Sequence, residues 1–341
     1  MIGAKSGSNR RRGSSRRLAI AAVLAVAAML VCFLTGCQSQ APSASEDDRM
    51  DVVEPEAPAA SGVKHVVLIG DDAWAGAERG RSDLLMLLRV DLDNHVITEV
   101  SIPRDTAYEW TDGSTIKINS AYEWEGPEAA CEAVSEVCGV EVDDYVAVDF
   151  DGFQSIVGFF GGIDVDLPVD LTYHFYTNDH PDEHYAAGEQ TLDPWRAMAL
   201  SRARTGYEPY GLEQDMMRQV IDRQMLTTLI GYVFVGSDDP AGALEQLLPF
   251  VSTNIDADEL LGWADALAQA DEIAVYGTSG PTSGGIDPET QLWLVPPQPE
   301  KWAALMEVVE AGGDPSTVDV QSDSLLQLDD APVNSATVIA L

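Results

Sequence analysis

His65-Val66-Val67-Leu68-Ile69-Gly70-Asp71-Asp72 is an unbroken apolar run that ends in a glycine and two acids. A run without polar alternation predicts a strand buried on both faces, opening into a loop at its carboxyl end. Ligands of open α/β sheets gather at such ends. Working outward, residues 83–90 (Asp-Leu-Leu-Met-Leu-Leu-Arg-Val) and 96–102 read as two more strands, and Asp93-Asn94 between them suggests a hairpin. Gly126-Pro127 opens a helix that runs to Cys138 and stops at Gly139. Residues 145–150 and 163–167 read as strands around a short apolar helix at 152–160, and 170–189 as a polar, aromatic loop. Helices are expected at 193–204, 213–235, 241–248, 257–270 and 299–311, and strands at 272–276 and 291–295. Strands and helices intermixed in this way predict an α/β domain, a layered mixed β-sheet flanked by helices.

The ends of the chain have a different character. Lys5, Arg10, Arg11, Arg12, Arg16 and Arg17 precede an apolar run from Leu18 to Thr35, which predicts a basic cytoplasmic side and an export signal or membrane anchor. The run closes on Leu34-Thr35-Gly36-Cys37, which resembles a bacterial lipobox. Residues 1–37 are therefore an N-terminal membrane anchor, either a lipidated Cys37 or a single span, with the rest extracytoplasmic. Residues 38–62 read as a flexible linker, 63–311 as the folded domain, and 312–341 as a C-terminal tail without a convincing pattern.

Charge narrows the function. Six of the 19 Lys and Arg precede Leu18, so 13 remain to face all 57 acidic residues, a formal charge of −44. A chain this acidic excludes a nucleic-acid partner, since duplex binding rests on basic contacts to phosphates. The few remaining arginines sit in short, apolar-flanked motifs: Arg79 and Arg81 before Ser82-Asp83, Arg104 in Ser101-Ile102-Pro103-Arg104-Asp105, Arg202 and Arg204 at a helix end, and Arg218 beside Gln219. Guanidinium groups placed this way read as an anion site assembled from several segments. Local ion pairs are the competing explanation: Arg81 with Asp83, Arg104 with Asp105, and Arg218 with Asp215 or Asp222 three and four residues away.

Other chemistries find little support. There is no Gly-x-Ser-x-Gly elbow and no glycine-rich loop followed by Lys-Ser/Thr. His180 and His184 are four apart, but Pro181 lies between them, and a solvated loop explains them better than a metal site. Met216, Met217, Ile221, Met225, Leu229 and Val233 give residues 213–235 a broad apolar stripe, either core or one wall of a lipophilic cavity. Cys131 and Cys138 would be ~10 Å apart on one helix, so a disulfide requires that helix to break early; bridge and buried thiols both stay open.

Gly70-Asp71-Asp72, Arg81-Ser82-Asp83, Ser101-Ile102-Pro103-Arg104-Asp105, Lys117-Ile118-Asn119-Ser120-Ala121-Tyr122, Gly161-Gly162-Ile163-Asp164-Val165 and Ser201-Arg202-Ala203-Arg204 with Arg218-Gln219 occur in one order. Together they resemble the LytR-CpsA-Psr family over residues 63–311. That resemblance implies transfer of an anionic glycopolymer from a polyprenyl-pyrophosphate lipid to cell-wall peptidoglycan, with Mg2+ or a similar divalent cation. It makes Asp72 and Asp83 the metal-side carboxylates and turns Arg81, Arg104, Arg202 and Arg204 toward the pyrophosphate. Arg218 and Gln219 join the substrate-binding set, and Asp83 doubles as base for the incoming sugar hydroxyl. Leu212 and Asp215 stand where the family carries an Asp and an Arg, and Ala73 where many members are polar. A non-catalytic carrier-lipid binding protein and a cell-envelope regulatory protein are the alternatives.

Overall fold

The computed structural model describes residues 60–73, 78–174, 182–204, 206–207, 214–320 and 333–341. The expected anchor, most of the linker, His180 and Leu212 lie outside these residues.

Seven strands make the main sheet: β1 (Val63–Asp71), β2 (Ser82–Asp91), β3 (Val96–Ser101), β6 (Asp144–Val148), β11 (Ser252–Thr253), β12 (Glu272–Ser279) and β15 (Ser335–Ala340), in the order β11-β6-β1-β2-β3-β12-β15. Smaller antiparallel pairs join β4 (Ala107–Glu109) to β5 (Thr115–Lys117), β7 (Ile163–Leu167) to β10 (Gly188–Leu192), β8 (Leu171–Tyr173) to β9 (Glu183–Tyr185), and β13 (Gly285–Ile286) to β14 (Trp293–Leu294). The helices are α1 (Asn119–Glu125), α2 (Pro127–Cys138), α3 (Phe150–Phe160), α4 (Pro194–Ser201), α5 (Gln214–Phe234), α6 (Pro240–Leu247), α7 (Ala257–Leu267) and α8 (Pro299–Glu310).

The apolar run that opens the domain behaves as a strand buried on both faces. Val67 pairs with Leu87, and Leu87 with Val100, and all three are fully buried in one core beneath α2 and α8. Val66, one residue earlier, points the other way with Val90 and Ile97 into a second core that includes Trp263 and Leu267 of α7. The sheet is mixed: β1 with β6 and β3 with β12 are parallel, whereas β1 with β2 and β2 with β3 are antiparallel. The turn at Asp93-Asn94 joins β2 to β3 as expected, with Asp91 Oδ1 accepting from the Asn94 backbone N–H.

Several boundaries differ from the sequence reading. The strand expected at 145–150 stops at Val148, because Asp149 accepts from the Gly152 N–H and caps α3, which starts at Phe150. The segment 170–189 is not simply a loop: β8 and β9 pair within it, and β10 begins at Gly188. The helix expected at 193–204 ends at Ser201, with Arg202 as its C-cap and Arg204 beyond it. Most unlike the expectation, the presumed tail supplies an edge strand, β15, paired with β12. Its composition is β-prone, with Thr337, Val338 and Ile339, but only Ile339 is buried, so a stretch this short and exposed becomes a strand through the neighbouring edge. Cys131 and Cys138 are two buried free thiols, on an unbroken α2 that Gly139 ends with a left-handed φ of 71°. Burial pushes the Cys131 thiol up to about 12.

Most of the α5 stripe is core. Met217, Ile221 and Met225 pack with β7, β8 and α4, while Ile230 and Phe234 pack toward α7. Among the described residues no helix is long and apolar enough to cross a membrane.

Candidate functional site

Because β1 and β3 run in the same direction, their carboxyl ends share one edge of the sheet. Beyond that edge lie Asp72, after β1, and Arg104, after β3. Asp83 enters at the start of the antiparallel β2, beside the irregular register at Gly70/Asp71. Asp71 is buried and organises the loop: its Oδ1 accepts from the backbone N–H groups of Ala73 and Gly80 at 2.8 Å, and its Oδ2 accepts from Tyr122 Oη at 2.9 Å. Asp72 Oδ1 accepts from the Arg81 backbone N–H at 2.6 Å. Residue 80 must be glycine for steric reasons, since a Cβ there would overlap Asp72 Oδ1 and the Ala73 backbone N.

Arg104 is the hub. Its Nη1 donates to Asp83 Oδ1 at 2.8 Å and Oδ2 at 3.0 Å, and Asn119 Nδ2 donates to the same Oδ1 at 3.3 Å. On its other side Arg104 Nε lies 3.4 Å from Asp215 Oδ1, buried and without a well-aligned hydrogen bond. Asp215 sits in the first turn of α5, where the helix N-terminus favours a negative charge. Arg218 Nη2 donates to Asp215 Oδ1 at 3.0 Å and Gln219 Nε2 to Asp215 Oδ2 at 3.3 Å, while Arg218 Nη1 reaches Asp222 Oδ2 at 3.5 Å.

These contacts decide between the ion-pair alternatives. Asp83 pairs with Arg104, not with Arg81, which instead contacts Glu123 at 2.9 Å. Asp105 pairs with Lys117 at 2.6 Å, leaving Arg104 to the site. Arg218 makes both helix ion pairs, yet it is buried against the Arg104 cluster rather than on a solvated face. Asp83, Arg104, Arg218 and Gln219 therefore come together. Asp72 joins them at charge range: burial pushes its carboxyl up, the Arg81 N–H opposes, and the charges of Asp83 and Asp71 push the same way as burial. Arg202 stacks over the Phe150 ring at 4.7 Å, and Arg204 follows outside α4, partly buried. The chain beyond them brings the buried Tyr207 hydroxyl within charge range of Asp222 and Arg218.

The electrostatics follow from burial and pairing. Burial raises Asp215, but the Arg218 and Arg104 charges more than offset it and hold the carboxyl below its usual value. Burial pushes Asp222 up to about 7, against the pull of Arg218. Beside the site lies a second buried pair that the motifs did not reveal. Arg223 Nη1 donates to Ser101 Oγ at 2.7 Å and Ser279 Oγ at 2.8 Å, at the ends of β3 and β12. Glu99, fully buried on β3, accepts from Thr227 Oγ1 at 3.2 Å, and burial pushes its carboxyl up to about 8. A signal was present in the sequence: Arg223 interrupts the apolar stripe of α5, and Glu99 interrupts the apolar β3.

Among the described residues no group of three or more His, Cys, Asp or Glu is arranged to hold a metal ion. The pair Asp72 and Asp83 still suits Mg2+, which commonly takes one or two carboxylates and completes its shell with water and substrate phosphate. Burial first, and then the charges of Asp83 and Asp71, raise the Asp72 carboxyl, and a cation there would favour its ionised form. A cleft of about 800 Å3 adjoins this edge, lined by Asp71, Arg79, Tyr122, Tyr145, Asp149 and Phe250 among others.

The sequence model of the LytR_cpsA_psr family matches residues 30–295. The chain belongs to the LytR-CpsA-Psr family. Among its relatives, a polyisoprenyl-teichoic acid–peptidoglycan teichoic acid transferase TagU of Bacillus mycoides is 31% identical over 228 residues, covering 65% of this chain and 71% of that one. TagV of Bacillus subtilis, of the same transferase description, is 31% identical over 220 residues, 64% of this chain and 53% of that protein. The crystal structure of B. subtilis TagV superposes with a TM-score of 0.61 at 26% identity, covering 74% of this chain and 98% of the other. A structure described as TagT bound to LIIa-WTA shares the fold, with a TM-score of 0.57 at 17% identity over 74% of this chain and 91% of that one. The family's mixed sheet with flanking helices is the architecture seen here, and its curated relatives are transferases.

Proposed function

We propose that this LytR-CpsA-Psr protein transfers an anionic glycopolymer from a polyprenyl-pyrophosphate carrier to a hydroxyl of peptidoglycan. The observation that carries the reading is Arg104, which is largely buried at the carboxyl edge of the sheet and gathers Asp83, Asn119, Asp215 and Arg218 around one point. The TagU and TagV relatives, transferases of teichoic acid to peptidoglycan by name, supply the substrate class.

The chemistry is displacement at phosphorus. The acceptor oxygen bonds to the phosphorus that carries the glycan, the bridging P–O bond breaks, and prenyl phosphate leaves with the electron pair. Charge gathers on the departing phosphate, so positioning and neutralisation dominate the barrier. Arg104 and Arg218, with Gln219, line the inner side, and Arg81, Arg202 and Arg204, in the β1–β2 loop and at the end of α4, would turn to the diphosphate as it binds. Asp83, held by Arg104 and Asn119, takes the acceptor proton. Mg2+, held by Asp72 and Asp83, would neutralise the diphosphate when bound. Residues 1–37 tether the domain to the outer membrane face, through a lipidated Cys37 or a single span, where the carrier lipid lies.

Carrier-lipid binding without chemistry is the second reading, and Asp215 favours it because it stands where the family carries an arginine that would help to stabilise the departing phosphate. One experiment tests both. The full chain is incubated with a prenyl pyrophosphate and Mg2+, and phosphate release is compared between wild type and Arg104→Ala. Loss of about 10²–10³-fold in the variant is expected for removal of a transition-state donor. Equal release at buffer background from both proteins would sink the enzyme reading, and lipid retention by the wild type would then favour the passive binder.

A further inference from the structure

Asp215 occupies the point where the donors of two chain segments converge. Its Oδ1 faces Arg104 Nε at 3.4 Å from the loop after β3 and Arg218 Nη2 at 3.0 Å from α5, and its Oδ2 accepts from Gln219 Nε2 at 3.3 Å. Two guanidinium groups and an amide closing on one anionic group is the arrangement by which proteins hold phosphate. Here the anion is part of the chain.

Charge in the cluster is correspondingly spent. Arg104 and Arg218 face Asp83 and Asp215, so two positive groups meet two carboxylates, with the buried Asp222 behind Arg218. Around them the protein carries a formal charge of −38, a background that repels an anionic headgroup. A diphosphate arriving at this edge therefore finds its inner arginines already neutralised. It must either displace the Asp215 carboxylate from both or arrive with a cation that offsets it.

We propose that Asp215 is a specificity-determining residue, an internal anion that occupies Arg104 and Arg218 and makes diphosphate binding depend on a divalent cation. The inference rests on the reading of the site as a prenyl-pyrophosphate site. Helix geometry alone does not account for the arrangement: a first-turn acid answers to the helix N-terminus, and Arg218 follows three residues on, but Arg104 comes from a distant segment and turns its buried Nε to the same oxygen.

The test measures binding rather than turnover. Farnesyl pyrophosphate is titrated calorimetrically into the full chain in detergent, with EDTA and with Mg2+, for wild type, Asp215→Asn and Asp215→Glu. Wild type and Asp215→Glu are expected to bind with Mg2+ and to lose about tenfold or more of that affinity in EDTA, as close charge pairs at an interface do. Asp215→Asn, which keeps the shape and removes the charge, is expected to gain about tenfold in EDTA over wild type. Its thermal melt is followed alongside; if it does not fold, Asp215→Ser serves as the neutral variant. A residue of purely structural role would give a neutral variant that binds no better than wild type in EDTA. That outcome, with Mg2+-supported binding intact in wild type, overturns the inference and leaves the transfer reading standing. Absence of binding by every protein in both conditions overturns the transfer reading and this inference together.

Discussion

Glu99 and Arg223 show how a buried charge is made tolerable and what it costs. Arg223 is held by Ser101, Ser279 and the Val333 carbonyl, and Glu99 by Thr227, so each is hydrogen-bonded to its own neighbours. Burial raises Glu99 to about 8 and lowers Arg223 to about 10. The sign for stability follows. Between an unfolded carboxyl near its ordinary value and a folded one near 8, the folded chain holds a proton that the unfolded chain releases. Stability therefore falls as pH rises through that window and levels off above it. Urea midpoints for wild type are expected to fall between pH 5 and pH 8, and Glu99→Gln to flatten that fall. A variant with an unchanged slope would assign it to other groups, Asp222 first among them, since burial raises that carboxyl as well.

At the scale of elements, α4 ends at Arg202 and α5 carries Arg218, while Arg104 comes from the loop after β3. Asp193 accepts from the Arg196 N–H at 2.9 Å, Pro194 occupies the first turn, and the helix ends at Arg202. Asp193→Ala should cost about 1 kcal/mol and lower the thermal midpoint without abolishing the fold, as a circular-dichroism melt would record; an unchanged melt would mean that packing alone holds α4. The cap was legible as Asp193-Pro194. The end of the helix was not, because the apolar spacing of Trp195, Met198 and Ala199 continues through Arg202, and nothing local says that the backbone leaves the helix there. The β8–β9 pair was missed for a related reason: each partner is three residues long and gains its pairing only from the other.

For the whole molecule, charge is the dominant quantity. A formal −38 spread over one chain is self-repelling, and salt screens it, with a Debye length that shortens to about 8 Å at physiological ionic strength. The thermal midpoint should therefore rise as NaCl is increased from low to physiological strength. A midpoint that falls instead would mean that exposed ion pairs such as Lys64 with Glu259 outweigh the net repulsion. The buried pairs around Arg104 and Arg218 are shielded from salt by the protein itself.

The sequence by itself determined the layered α/β sheet, the opening strand buried on both faces, and the segments that bring Asp83, Arg104 and Arg218 together. Each rests on local signals: uninterrupted apolar runs, Pro and Gly at helix ends, and arginines set among apolar neighbours. Partner choice was decided only in three dimensions. Arg104 passes over the adjacent Asp105 for Asp83 and Asp215, and Lys117 takes Asp105 instead. Ser335–Ala340 becomes a strand because β12 presents an open edge. Both outcomes depend on residues far apart in the chain, where distance and burial set the strength of an interaction and sequence spacing carries no information about either.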